Sequence, residues 1–92
     1  MDAKRVNILV SGIVQGVCFR YFAQQQAKHL GLTGWVRNLY NGKVEILAEG
    51  DDVNILELIK WSKHGPPHAS VKNIEILWKS YQNEFSNFNI KY

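Results

Sequence analysis

Apolar and polar residues alternate from Val6 to Val14, with Val6, Ile8 and Val10 on one side and Asn7, Leu9 and Ser11 on the other. That period is the signature of a half-buried strand. The period then changes. Phe19, Phe22, Ala23, Ala27 and Leu30 recur at helical spacing, which predicts a helix over 20–30 with its apolar stripe on a core, and Gly31 offers a stop. Thr33 to Leu39 returns to strand composition, and Asn41-Gly42 is a strong hairpin signal leading into a strand over Lys43 to Glu49. Val44, Ile46 and Ala48 are expected to face the core there, with Lys43, Glu45 and Glu49 facing water. Gly50 is expected to end that strand, and Asp51 or Asp52 can cap a second helix that buries Ile55, Leu56 and Ile59, with Val53 beside them. Gly65-Pro66-Pro67 forbids its continuation. A fourth strand follows over Ser70 to Trp78, with Ile74, Ile76 and Trp78 aligned. A polar link, Lys79 to Glu84, then leads to a short strand over Phe85 to Tyr92 with Phe88, Ile90 and Tyr92 aligned.

The order β-α-β-β-α-β is that of a split pair of βαβ units, an α+β sandwich of the ferredoxin-like kind. Right-handed crossovers predict a mainly antiparallel sheet of order 4-1-3-2, two helices on one face and the fifth strand at an edge. A chain of 92 residues makes one domain, 1–92, around one core, and a hydrophobic share of 46% separates it from a disordered tail. No apolar run approaches the roughly 20 residues of a membrane span. Met1 to Arg5 run straight into the strand pattern without a signal peptide's apolar core, so a cytoplasmic protein with no membrane partner is expected. The formal charge of +3 is a mild bias toward anions that suits a phosphorylated metabolite or a nucleic acid equally well. Cys18 has no second cysteine to pair with, and His29, His64 and His68 lack metal-ligand spacing, so no cofactor or metal is expected.

Candidate chemistry is concentrated in Gly12-Ile13-Val14-Gln15-Gly16-Val17-Cys18-Phe19-Arg20. A strand that ends in a glycine-bearing loop and feeds a helix N-terminus leaves several backbone N–H groups unpaired and aimed one way, which suits a phosphate. Arg20 would add a planar, permanently charged fork. The alternative is an ordinary turn with a surface arginine. A second stretch, Gly34-Trp35-Val36-Arg37-Asn38-Leu39-Tyr40-Asn41-Gly42, ends near the same sheet edge in a split βαβ fold. Asn38 therefore comes close to the loop, where its amide could hold a water against bound phosphate, whereas Arg37 alternates onto the opposite face. By itself, Asn38 reads equally as a turn-stabilising residue. Trp35 either covers the sheet or stands near the rest of the substrate. Cys18 is not placed as a phosphatase nucleophile, because Phe19 alone separates it from Arg20, too few residues to wrap a phosphate. Gly12 and Gly16 do not make a Walker loop, and His64 and His68 flank a double proline as surface residues.

Taken together, the stretches Val10 to Arg20 and Gly34 to Asn38, with Gly42, Val44 and Gly50 at matching spacing, resemble the acylphosphatase family over essentially the whole chain. The resemblance implies that Arg20 binds substrate phosphate with the backbone amides of Gln15, Gly16, Val17, Cys18, Phe19 and Arg20, and that Asn38 orients the attacking water. It also implies metal-independent hydrolysis of acyl phosphates to a carboxylate and inorganic phosphate, which would act as product and competitive inhibitor. The rival is a non-catalytic anion- or RNA-binding module, since an RNA-recognition motif has this element order. Such a module would carry stacking aromatics on its third strand; Lys43 to Glu49 has none and bears two glutamates, so no nucleic-acid partner is expected. Nothing in the sequence fixes oligomeric state, and a monomer is the simple expectation.

Overall fold

The computed structural model describes residues 2–92. Its elements are β1 (Ala3–Ile13), α1 (Phe19–His29), β2 (Thr33–Asn38), β3 (Val44–Asp51), α2 (Asp52–Ser62), β4 (Ser70–Lys79) and β5 (Phe88–Lys91). The five strands form one sheet in the order β4-β1-β3-β2-β5. β1 lies antiparallel to β3 and β4, and β2 is antiparallel to β3 but parallel to β5. The expected order of the first four strands holds, and β5 takes the edge beside β2. Gly50 does not end β3, which continues to pair through Lys4↔Gly50 and Ala3↔Asp51.

One face of the sheet carries the core. Val6, Ile8 and Val10 of β1, Val36 of β2 and Val44, Ile46 and Ala48 of β3 are buried there against Phe19, Ala23 and Ala27 of α1 and Ile55, Leu58 and Ile59 of α2. Burying each large aliphatic side chain contributes roughly 1.5–3 kcal/mol relative to exposure. The α2 stripe is rotated from the expected one. Leu58 and Ser62 share its buried face, the Ser62 hydroxyl donating to the Leu58 carbonyl at 2.8 Å, while Val53 and Leu56 face solvent. Phe22 is likewise exposed, edge-on to Tyr21 at 5.2 Å, since Phe19, Ala23 and Ala27 complete the face that α1 buries. Ile76 and Trp78 align with the core face but stay partly open because β4 is an outer strand.

Glu49 reverses its expected setting. It points to the face without helices but is buried, because the link after β4 crosses that face and folds over it. The backbone amides of Gln82 and Glu84 donate to its two carboxylate oxygens at 2.6 and 3.0 Å. Arg5 bridges it to Glu84 and lies over the Phe85 ring. This crossing carries the chain from the β4 edge to the far edge, where β5 pairs with β2.

Candidate active site

The loop between β1 and α1 is pinned at both ends by side chains in the core. Val14 and Phe19 are buried, and the Phe19 ring packs on Trp61 at 5.2 Å. Between them the backbone takes positive φ at Gly16 (76°) and Cys18 (63°). Glycine adopts this readily; a cysteine rarely does. Cys18 is the N-cap of α1 yet makes no side-chain capping bond, and the first turn contains no acidic residue. The leading amides of α1, which have no carbonyl partner inside the helix, therefore keep their positive end unneutralised. Among the described residues, the amides of Gln15 to Cys18 donate to no backbone carbonyl. The loop thus gathers donors at one helix N-terminus.

Arg20, in the first turn of α1, is half-buried. Its Nη1 donates weakly to the Lys91 carbonyl at 3.4 Å, and its guanidinium carbon lies 4.8 Å from the centre of the Tyr92 ring. No carboxylate neutralises it among the described residues. Asn38 is the last residue of β2, opposite Val44 in the hairpin, and its Oδ1 is buried with no hydrogen-bond partner. A cavity of about 350 Å³ brings these together: its walls are Val14, Gly16, Cys18, Phe19, Arg20, Tyr21, Asn38, Ile90 and Tyr92. Gln15 and Val17 do not line it. A wider cavity of about 660 Å³ shares Asn38 and Tyr92 and extends along Gln15, Arg37, Leu39 and Tyr40.

Two parts of this arrangement escaped the sequence reading. Gln15, expected to act through its amide N–H, also uses its side chain: Nε2 donates to the carbonyls of Leu39 at 2.7 Å and Lys43 at 2.9 Å, strapping the loop to the hairpin that carries Asn38. Ile90 and Tyr92 enter the cavity wall because β5 pairs beside β2. Their alignment with Phe88 was visible as a pattern, but the neighbour they would serve was not.

The opposite face behaves as alternation requires. Arg37 Nε donates to Glu45 Oε1 at 2.7 Å, and Asn7 Nδ2 donates to Glu45 Oε2 at 2.9 Å. Burial alone would raise the Glu45 carboxyl, but these two bonds and the charges of Arg37 and Lys79 outweigh it and hold the group below its ordinary value of 4.5. Trp35 covers the open face of the sheet, with Arg37 at 5.0 Å and Lys91 at 4.5 Å from its ring centre, and is not a wall of the cavity. His64 and His68 are exposed at the double-proline turn and line neither cavity. Cys18 is exposed at the cavity mouth. Among the described residues, no three His, Cys, Asp or Glu side chains group as metal ligands, and no helix is long and apolar enough to cross a membrane.

The acylphosphatase family model matches residues 6–90. The chain belongs to the acylphosphatase family. It is 45% identical over 92 residues to an acylphosphatase of Pelotomaculum thermopropionicum, with the whole of both chains covered. The acylphosphatase structures of Coxiella burnetii and Bacillus subtilis each superpose with a TM-score of 0.93 at 38% identity. The matches cover 98% of this chain and 94% of the first, and 97% of this chain and 99% of the second. The acylphosphatase reaction, hydrolysis of an acyl phosphate, thus falls to a chain whose donor-rich loop, arginine and asparagine meet at one cavity.

Proposed function

We propose that the amides of the Gln15 to Arg20 loop, of which Gly16, Cys18, Phe19 and Arg20 line the cavity, hold the phosphate of an acyl phosphate with the Arg20 guanidinium, and that Asn38 positions a water for in-line attack. The observation that carries this reading is the shared cavity of Arg20 and Asn38, into whose wall Asn38 brings a buried acceptor without a partner. A buried carbonyl oxygen left unpaired costs about 1–3 kcal/mol, and a water donating to it removes that cost while being fixed in place. The water oxygen bonds to phosphorus as the phosphorus–oxygen bond to the acyl group breaks. The carboxylate leaves with the bonding pair, and the water's proton passes to a phosphate oxygen, giving a carboxylate and dihydrogen phosphate.

The sparse site suits this substrate. A carboxylate leaving group has a conjugate-acid pKa of about 4, so departure near neutral pH needs no proton donor. Phosphoryl transfer through a loose transition state asks for positioning and for charge on the equatorial oxygens to be balanced, which the loop amides and Arg20 supply. No step calls for a metal. The acyl portion extends into the wider cavity beside Tyr40 and Tyr92, where Arg37 is already held by Glu45 and Gln15 by the Leu39 and Lys43 carbonyls. Inorganic phosphate is expected to compete with substrate for the loop.

The test is hydrolysis of benzoyl phosphate, with a chelator present, by wild type and Arg20→Gln. The variant is expected to lose about 100- to 1,000-fold in kcat/KM while keeping the wild-type unfolding midpoint, and the chelator to change nothing. Normal activity in a folded Arg20→Gln chain ends this assignment.

A further inference from the structure

The wider cavity of about 660 Å³ shares Asn38 and Tyr92 with the cavity that holds Arg20, so the group attached to a phosphate at Arg20 has this space beside it. Most of its polar walls are engaged within the chain. Gln15 Nε2 bonds the Leu39 and Lys43 carbonyls, and Glu45 balances the charge of Arg37, whose guanidinium lies over the Trp35 ring. Asn38 Oδ1 is left for a water. What the cavity still offers an acyl group is ring surface, because Tyr40 and Tyr92 are both fully exposed. The two rings differ in one respect. Tyr92 has a face committed to Arg20 at 4.8 Å, whereas Tyr40 meets no ring and no cation among the described residues.

The fold does not require an aromatic residue at position 40. The turn from β2 to β3 is closed by backbone and Asn41 alone: the Gly42 amide donates to the Leu39 carbonyl at 3.2 Å, the Leu39 amide to the Lys43 carbonyl at 2.8 Å, and the Lys43 amide to Asn41 Oδ1 at 3.1 Å. Gly42 takes the positive φ of 90°, so Tyr40 itself carries no strain. The Gln15 bonds fasten this turn to the phosphate loop. A bare ring on a braced turn, two residues beyond Asn38, has only its own two torsions to freeze on contact, and ring-on-ring contact is favourable beyond the area it buries. We propose that Tyr40 is a specificity-determining residue, its ring stacking on a flat apolar acyl group of the aroyl kind, with Tyr92 standing between that group and Arg20. This rests on the phosphate seat proposed above, and adds to it the class of acyl group that the chain selects.

Steady-state hydrolysis of acetyl, cyclohexanecarbonyl and benzoyl phosphates by wild type, Tyr40→Ala, Tyr40→Phe and Arg20→Gln tests this. The three substrates differ in chemical lability, but that cancels when each variant is divided by wild type on the same substrate. Tyr40→Ala is expected to lower kcat/KM for benzoyl phosphate about three- to tenfold more than for acetyl phosphate, chiefly through KM, with cyclohexanecarbonyl phosphate in between. Tyr40→Phe keeps the ring and is expected to hold the wild-type ratios within about twofold. Since the Tyr40 side chain is uncovered, the unfolding midpoint of Tyr40→Ala should match wild type. An equal fall on benzoyl and acetyl phosphates in Tyr40→Ala overturns the proposal, as does a cyclohexanecarbonyl phosphate that falls as far as benzoyl phosphate. Arg20→Gln acts on the phosphate and is expected to lower all three substrates alike. If it lowers none, the phosphate seat itself is wrong, a failure distinct from an unchanged substrate ratio in Tyr40→Ala.

Discussion

In the proposed mechanism Asn38 divides the work with Arg20. Its carbonyl oxygen is buried without a partner at the cavity, whereas the Arg20 fork rests on Tyr92 and reaches the Lys91 carbonyl at only 3.4 Å. A cation held by one long hydrogen bond and no carboxylate among the described residues is available to an incoming phosphate, and the buried oxygen to a water. Asn38→Ala is therefore expected to lower kcat about 100-fold while the inhibition constant for inorganic phosphate moves no more than about threefold, measured by steady-state kinetics with added phosphate. If phosphate inhibition vanished and turnover survived, the two roles would have to be exchanged. The composition and spacing of the two stretches made both residues legible. The orphaned oxygen could not be read, because only packing decides which of an amide's atoms is enclosed.

At the scale of elements, the site depends on two connections that join segments far apart in the chain. The Gln15 side chain ties the loop to the Leu39 and Lys43 carbonyls, and so sets the distance between the loop amides and Asn38. Gln15→Ala is expected to lower kcat about 10- to 100-fold, more than it raises KM, since displacing a positioned group by a fraction of an ångström harms attack before it harms binding. Glu49 makes the other connection. Its carboxylate takes the Gln82 and Glu84 amides and thereby carries the chain across the open face to β5. Glu49→Ala leaves those donors without their acceptor and should cost about 2–4 kcal/mol in urea unfolding. Alternation placed Glu49 on the outer face correctly, but what covers that face depends on the path of the Lys79–Glu84 link.

For the whole molecule, the open face of the sheet holds a charge cluster whose effect on stability has a definite sign. Glu45 is held below its ordinary value of 4.5, so its contribution is complete above that pH in the folded chain and fades as the pH falls through the lowered folded value. Urea midpoints measured from pH 6 down to about pH 3 should fall more steeply for wild type than for Glu45→Gln, with the divergence beginning near 4.5. Equal slopes would remove Glu45 from the acid response. On this scale the division between sequence and tertiary structure is clear. Hydrophobic period, turn residues and crossover handedness act over short stretches, so they determined the elements, the order of four strands, and the loop and hairpin that bear Arg20 and Asn38. The rotated stripe of α2, the burial of Glu49, the Gln15 strap and the seat of β5 beside β2 were decided only in three dimensions. Each depends on which distant segment arrives as a neighbour, and local periodicity specifies the face a side chain takes without specifying what will cover it.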